Sequence, residues 1–139
     1  MNIDSIQNGY VIDHIKGGKG MEIYSALHLS DLSCPIAMMR NVPSEKMGKK
    51  DIIKIDHATF DIDVDAVGYL DPGSTVNIIR DGKIVEKKHV ELPRKLVNVI
   101  HCKNPRCITT VEPGIDHIFE LARPEQRLYR CAYCETERT

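Results

Sequence analysis

Apolar residues fall in short runs along the first two thirds of the chain, most with the period of a strand and two with the period of a helix. "GYVIDHI" (residues 9–15) predicts a short strand opened by a glycine. In "GGKGMEIYSALHLS" (17–30) Met21, Tyr24, Ala26, Leu27 and Leu29 recur at roughly helical spacing, so the glycines open a helix. "CPIAMMRNV" (34–42) and "KKDIIKID" (49–56) are strand-like and separated by a turn in "PSEKMGKK". "VDAVGYLDPG" (64–73) predicts a second short helix, ended by Pro72 and Gly73. "TVNIIRDGKIVEKKHVEL" (75–92) predicts two strands about an Asp81-Gly82 hairpin turn. The order strand, helix, strand, strand, helix, strand, strand is that of an α+β ferredoxin-like sandwich, an antiparallel sheet with two helices on one face and one added strand. No internal repeat or low-complexity segment interrupts it.

A different pattern takes over after "LPRKLVN" (92–98), where Pro93 ends the last strand and places a boundary near residue 95. Residues 96–139 hold few large apolar side chains, too few to build a core unaided. They do hold four of the five cysteines. Cys102 and Cys107 form Cys-x4-Cys across a Lys-Asn-Pro-Arg turn, 23 residues intervene, and Cys131 and Cys134 form Cys-x2-Cys. Each pair sits where a tight knuckle aims two sulfurs at one point, the spacing of a four-thiolate zinc site in a small zinc-ribbon or rubredoxin-like domain. Such a site is closed to water and substrate, hence structural, with one zinc per chain. Two disulfides or four buried free thiols are the alternative. Lys103, Arg106 and Arg130 flank the cysteines and would offset the charge of a zinc held by four thiolates. His101 adjoins a ligand but points the opposite way along its strand, and His117 is the other possible intruder. Cys34 reads as a small buried hydrophobe with no chemistry.

Composition and charge narrow the function. The chain has 139 residues, 42% hydrophobic and 28% charged, enough for one ordinary domain or two small ones with real cores. Its formal net charge of −1 creates no global field toward nucleic acid or an anionic membrane. The N-terminus "MNIDSIQNGY" lacks the charged start and apolar core of a signal peptide, so the cytosol is the expected compartment, where thiols stay reduced and clustered cysteines hold metal. A zinc-ribbon nucleic-acid binder is the competing class. From Leu96 onward, however, six Lys or Arg are balanced by six Asp or Glu, and the whole chain has no Trp, two Phe and five Tyr for base stacking. Neither that composition nor the charge balance favours nucleic acid, and docking on another protein is the better use of the ribbon. Asp13 and His14, as adjacent strand residues, are expected to face opposite ways and make a poor acid–base dyad. "DIDVDA" lacks the glycine and distal glutamate of a calcium loop and reads as an acidic helix start.

The stretches "NGYVIDHI", "NVPSEKMGKKDIIKID", "STVNII", "LPRKLVNVIHCKNPRCIT" and the terminal "CAYC" together resemble the regulatory chains of aspartate carbamoyltransferase, in that family's order and over nearly the whole length. The resemblance implies a subunit without catalysis of its own that acts in pyrimidine biosynthesis. It would have a nucleotide-binding domain (1–95) and a zinc domain (96–139) that docks on a separate catalytic chain. It further implies homodimers of regulatory chains bridging catalytic trimers, with CTP and UTP as inhibitors and ATP as activator, and no membrane or nucleic-acid partner.

A nucleoside triphosphate needs cations for its phosphates, a polar partner for the ribose and small apolar or backbone surfaces for the base. Lys50, Lys54 and Lys87 lie on predicted strands, His14 is a fourth donor, and Asp13 can accept from ribose hydroxyls. Strand lysines are most often solvated surface charges, so it is the resemblance that points these at a ligand. The resemblance also implies that Ser5 and Ile6 hold the base through their backbone, and that Val11, Ile52, Asn77, Ile79 and Ile84 line the pocket. Where the family often carries an aromatic residue whose backbone meets the base, this chain has Gly82: a backbone contact survives the change and the side-chain wall does not.

Overall fold

A computed structural model describes residues 6–138, and Ser5 lies outside the described residues. The chain divides into two compact units, residues 1–91 and 92–139. The first runs β1 (Gly9–Lys16), α1 (Gly20–Ala26), a 3-10 turn (Leu29–Asp31), β2 (Ile36–Ser44), β3 (Gly48–Ile55), α2 (Val64–Leu70), β4 (Thr75–Arg80) and β5 (Lys83–His89). The strands form one antiparallel sheet in the order β2-β3-β1-β4-β5. This is the ferredoxin-like order with β5 added at an edge.

One face of the sheet is closed by the helices. Ile12 and Ile15 of β1, Ile53 and Ile55 of β3 and Val76 of β4 are buried with Ile23 and Leu27 from α1 and Ala66 and Val67 from α2. The inward stripe of α1 differs from the spacing anticipated. It is Gly20, Ile23 and Leu27 that are buried, while Met21 is 45% exposed. Two residues turn an α-helix by about 200°, so a helix seated on Ile23 must turn Met21 outward. Asp63 caps α2, its Oδ1 accepting from the Ala66 N–H at 3.2 Å, which gives the acidic run its structural role. Cys34 is only half-buried, because it lies in the connection ahead of edge strand β2 rather than under the helices.

Asp51 is the one wholly buried carboxylate among the described residues, and backbone donors hold it. It accepts from the N–H groups of Gly18 at 3.1 Å, Gly20 at 2.9 Å and Asn41 at 2.9 Å. Three such bonds fix the start of α1 and an irregularity in β2 to the centre of the sheet. A Cβ at Gly20 would lie 2.8 Å from the Asp51 carboxylate, so that close approach requires glycine.

A bulge in β1 decides what the open face of the sheet presents. Between Ile12, opposite Ile53, and Ile15, opposite Asp51, two residues of β1 face one of β3, and His14 takes a left-handed backbone with φ of 56°. Strict alternation would have put Ile12 and His14 on the core side. Instead Ile12 and Ile15, three apart, are both fully buried, and Asp13 and His14 are both left partly exposed. The expectation that these neighbours face opposite ways therefore gives way to the extra residue of the bulge.

The second unit is a four-stranded antiparallel sheet, β6 (Lys95–Val97), β7 (Ile118–Arg123), β8 (Leu128–Cys131) and β9 (Glu137–Arg138), paired in that order, with one helical turn, α3 (Ile108–Val111). The apolar run at 96–101 yields only a three-residue strand, because Asn98 turns left-handed with φ of 58° and bonds through its side chain to Asp116 and the His117 N–H. The core of this unit consists of Leu96, Ile100, Phe119, Leu128 and Tyr129 beside the buried cysteines. The Tyr129 hydroxyl donates to the Pro93 carbonyl at 2.6 Å and ties the start of the unit to its third strand. No helix among the described residues is long and apolar enough to cross a membrane.

Candidate functional site

The two knuckles bring Cys102, Cys107, Cys131 and Cys134 together, with their sulfurs all within 4.8 Å of one another. Cys102 and Cys134 Sγ are 3.5 Å apart, and Cys107 and Cys131 Sγ are 3.7 Å apart. Both separations far exceed the roughly 2.05 Å of a disulfide. They match the edges of about 3.8 Å of a tetrahedron whose centre lies about 2.3 Å from each sulfur, the zinc–thiolate distance. Four sulfurs in that arrangement, three of them buried, fit one structural zinc and leave no coordination position open.

The protons on this cluster show what the ion has to overcome. Burial pushes the Cys102 thiol up to about 12 and raises Cys131 as well. The Thr109 hydroxyl lowers Cys107, and the Thr136 hydroxyl brings Cys134 down to about 6. Both hydroxyls lie 3.1 Å from their sulfurs. Backbone N–H groups of Asn104, Thr109, Tyr133, Cys134 and Thr136 also point at the four sulfurs, and the Asn104 side chain reaches Cys134. These donors favour thiolate, so the knuckles are built for an anionic cluster that zinc then neutralises in part. Thr109, Thr136 and Asn104 are site residues the sequence reading missed. Their signal was present: both knuckles carry Cys-x-Thr, at 107–109 and 134–136.

The flanking cations act less directly than anticipated. Arg130 pairs with Glu137 at 3.3 Å, and Lys103 and Arg106 are exposed. Neither histidine joins the cluster. His117 Nδ1 accepts from the Cys102 N–H at 3.2 Å and its ring meets that of His101 edge-on at 4.5 Å, so the pair buttresses a ligand from outside.

In the first unit the candidate nucleotide residues share the sheet face away from the helices. Register places Lys54 beside Val11, Val11 beside Asn77, and Asn77 beside Lys87, one continuous row across β3, β1, β4 and β5. Gly9, Ile79 and Ile84 form the row on one side of it, and Asp13, Thr75 and His89 the row on the other. Ile52 and Lys50 continue the same face of β3, two and four residues from Lys54. Asn77 and Ile79 are buried, Val11, Asp13, Lys50, Ile52 and Lys54 half-buried, and Lys87 and Ile84 exposed. Asn77 Oδ1 is buried without a hydrogen-bond partner among the described residues.

Gly82 stands apart from these rows, in the β4–β5 turn. It has φ of 74° after Asp81 at 52°, the pair of left-handed residues a two-residue hairpin turn needs. Its N–H donates to the Gln7 carbonyl at 2.9 Å, which brings the segment containing Ile6 beside the turn.

Two internal contacts shape the cations. Lys50 pairs with Asp13 at 3.1 Å. Partial burial works to raise the Asp13 carboxyl, but the His14 backbone N–H and the Lys50 ammonium outweigh it and hold the group below its ordinary value. The Thr75 hydroxyl reaches back to the Asp13 carbonyl at 3.4 Å, so its oxygen accepts from His14 Nδ1–H at 3.0 Å, and Nε2 is the ring nitrogen not used in that contact. The Asp13 shift has a measurable consequence. A carboxylate with a depressed folded-state pKa adds stability above its unfolded value of about 3.9, and loses it as pH falls through the folded value. Asp13→Asn is expected to lower stability at neutral pH by no more than about 1 kcal/mol, since the pair is partly screened by solvent, with the gap closing below about pH 4. Thermal unfolding of both chains across that range checks it, and a gap that stays constant down to pH 2 removes Asp13 from the acid response.

Comparison with known proteins agrees with both halves. Residues 1–91 match the family model "Aspartate carbamoyltransferase regulatory chain, allosteric domain", and residues 94–139 match "Aspartate carbamoyltransferase regulatory chain, metal binding domain". The aspartate carbamoyltransferase regulatory chain of Clostridium tetani is 50% identical over 97% of this chain and 94% of its own. The corresponding chain of Clostridium acetobutylicum is 47% identical over 97% and 92%. That of Bifidobacterium longum is 44% identical over 99% and 98%. A four-cysteine cluster lies where the family places its metal-binding domain, a two-helix sandwich lies where it places its allosteric domain, and likeness extends over nearly the full length: the chain belongs to the aspartate carbamoyltransferase regulatory chains, the non-catalytic subunits of that enzyme.

Proposed function

We propose that residues 1–91 bind a nucleoside triphosphate, CTP, UTP or ATP, on the open face of their sheet. We further propose that the metal module, residues 94–139, docks on the aspartate carbamoyltransferase catalytic chain and passes on the effect. The observation that carries the first part is the row Lys54–Val11–Asn77–Lys87, which sets two cations at the ends of a short apolar and amide stretch. Cations outside and an amide inside are what a ligand with an anionic tail and a polar base requires. The unpartnered Asn77 oxygen supports the same reading, since an unmet buried acceptor costs about 1–3 kcal/mol and a ligand N–H or hydroxyl would offset it. Asp13 serves the ribose, His14 and Lys87 the phosphates, and Ile79 and Ile84 the base, with Lys50 orienting Asp13. Ser5, Ile6 and Gly82 supply backbone contacts to the base.

The working unit is a homodimer of regulatory chains. Both edges of the sheet, β2 and β5, lack a strand partner among the described residues and so are open to strand addition by a second copy.

Isothermal titration of CTP and ATP into the full chain tests the binding. Lys54→Ala and Lys87→Ala are each expected to lose about 1 to 3 kcal/mol of affinity, the cost of removing a charged hydrogen-bond partner, and wild-type binding is expected to weaken as salt rises. Wild-type affinity in both variants would take these lysines out of the site.

A further inference from the structure

At the far end of the nucleotide face lies an open cleft of about 370 Å³ whose walls include residues that neither the sequence reading nor the family resemblance assigned. Its polar lining is His14, Lys46, Asp71, Thr75, Lys87 and His89. Four of those six side chains are basic and one is a carboxylate. That carboxylate is already engaged, with Asp71 Oδ2 accepting from the Lys16 backbone N–H at 2.8 Å. The balance of the cleft is therefore that of an anion site.

Strand register supplies a ruler for it. The row Gly9–Ile79–Ile84 is apolar, the row Val11–Asn77–Lys87 holds an amide and a cation, and the row Asp13–Thr75–His89 opens into the cleft. Successive rows are two residues apart, about 7 Å, so some 13 to 14 Å separates the apolar end from His89. Lys46 comes from the turn between β2 (Ile36–Ser44) and β3 (Gly48–Ile55), and His89 from the end of β5, so the cleft is lined from two separate parts of the unit. Thr75 is 3% exposed and fixes the His14 ring between the middle row and this end.

We propose that Lys46 and His89 form the terminal-phosphate end of the nucleotide site, so that the cleft they line makes this chain discriminate nucleoside triphosphates from diphosphates. A ligand with its base at Ile79 and Ile84 runs past Lys87 and His14 with its first phosphates. Only a third phosphate extends to Lys46 and His89. Removing either residue then weakens a triphosphate and leaves a diphosphate alone, which separates these two from Lys54 and Lys87, whose loss weakens both. The inference rests on the nucleotide reading given above.

The experiment measures CTP, CDP, ATP and ADP binding by calorimetry to the full chain, to Lys46→Ala, to His89→Ala and to Lys46→Arg. Each alanine variant is expected to weaken the triphosphates on the order of tenfold, with the diphosphate affinities unchanged, and Lys46→Arg to retain the wild-type preference. Equal weakening of tri- and diphosphates overturns the assignment, as does no change in either. Both side chains are exposed, and circular dichroism checks that the variants remain folded; should an alanine variant unfold, Lys46→Gln and His89→Gln give the same comparison. If the wild-type chain binds none of the four nucleotides, the nucleotide reading fails and this inference with it. If it binds them with no dependence on Lys46 or His89, only this inference falls.

Discussion

Cys107→Ser will leave residues 92–139 without a stable fold while residues 1–91 keep theirs. The second unit has five large apolar residues in its core, Leu96, Ile100, Phe119, Leu128 and Tyr129, and several of its connections are held only by the knuckles. Forming a structural zinc site releases on the order of 10 kcal/mol, comparable to the whole stability of a small domain. A serine in place of one of the four cysteines removes a thiolate and leaves an open position where the site had been closed. Its neighbours then suffer twice: burial, which raises Cys102 and Cys131, still opposes thiolate, while the charge compensation from a firmly held ion is gone. The first unit has its own core between the sheet and two helices and contains none of the ligands. Two transitions are therefore expected in thermal or denaturant unfolding of the variant where the zinc-loaded protein resists longer. Metal analysis of wild-type protein purified without chelator should give one zinc per chain. Less than about half a zinc, or a variant whose second unit remains as ordered as wild type, would falsify the structural role of the ion.

How much of this was legible in the sequence depends on the range of the interaction concerned. The four ligands were readable because two short spacings each close a local knuckle, and nothing remote is needed to aim paired sulfurs. The sandwich was readable because apolar periodicity and turn chemistry, such as Asp81-Gly82 at a hairpin, are also local. Asp51 was not. Within "KKDIIKID" it looks like one more solvated charge, and only the meeting of Gly18, Gly20 and Asn41 around it makes it the buried hub of the unit. The bulge at Asp13 and His14 was equally hidden, since a period of two gives no warning of an extra residue. It matters more for function, because it keeps His14 off the core side and leaves Ile15 buried in its place. Met21 shows the opposite failure: an apolar residue counted into the helix stripe that the helix in fact turns to solvent. Thr109 and Thr136 were within reach, because Cys-x-Thr recurs in both knuckles, but their role becomes clear only once hydroxyl and sulfur are seen 3.1 Å apart.

Loss of zinc is expected to sever regulation from catalysis in the assembled enzyme. The proposed effector face lies entirely within residues 1–91, and the metal-binding domain occupies residues 94–139, so any influence of a nucleotide on the catalytic chain must pass through the second unit if that unit is what docks. Such an influence is a coupling free energy and is reciprocal. A nucleotide that shifts the affinity of the enzyme for its substrate must have its own affinity shifted by the same factor when substrate is bound, typically about 5- to 150-fold. The experiment combines this chain with its catalytic partner and records aspartate saturation with and without CTP, UTP and ATP. It is then repeated after a chelator or a mercurial has taken the zinc. Treatment is expected to unfold the second unit, release the catalytic chain, and abolish the nucleotide response while carbamoyl transfer continues, since the regulatory chain supplies no reacting group. Binding of nucleotide to the treated regulatory chain should survive, because its row of Lys54, Val11, Asn77 and Lys87 owes nothing to the metal. The two readings part at that last measurement: nucleotide binding retained with the response lost places the zinc module on the path, whereas a response that outlives dissociation places the effector site on the catalytic chain instead.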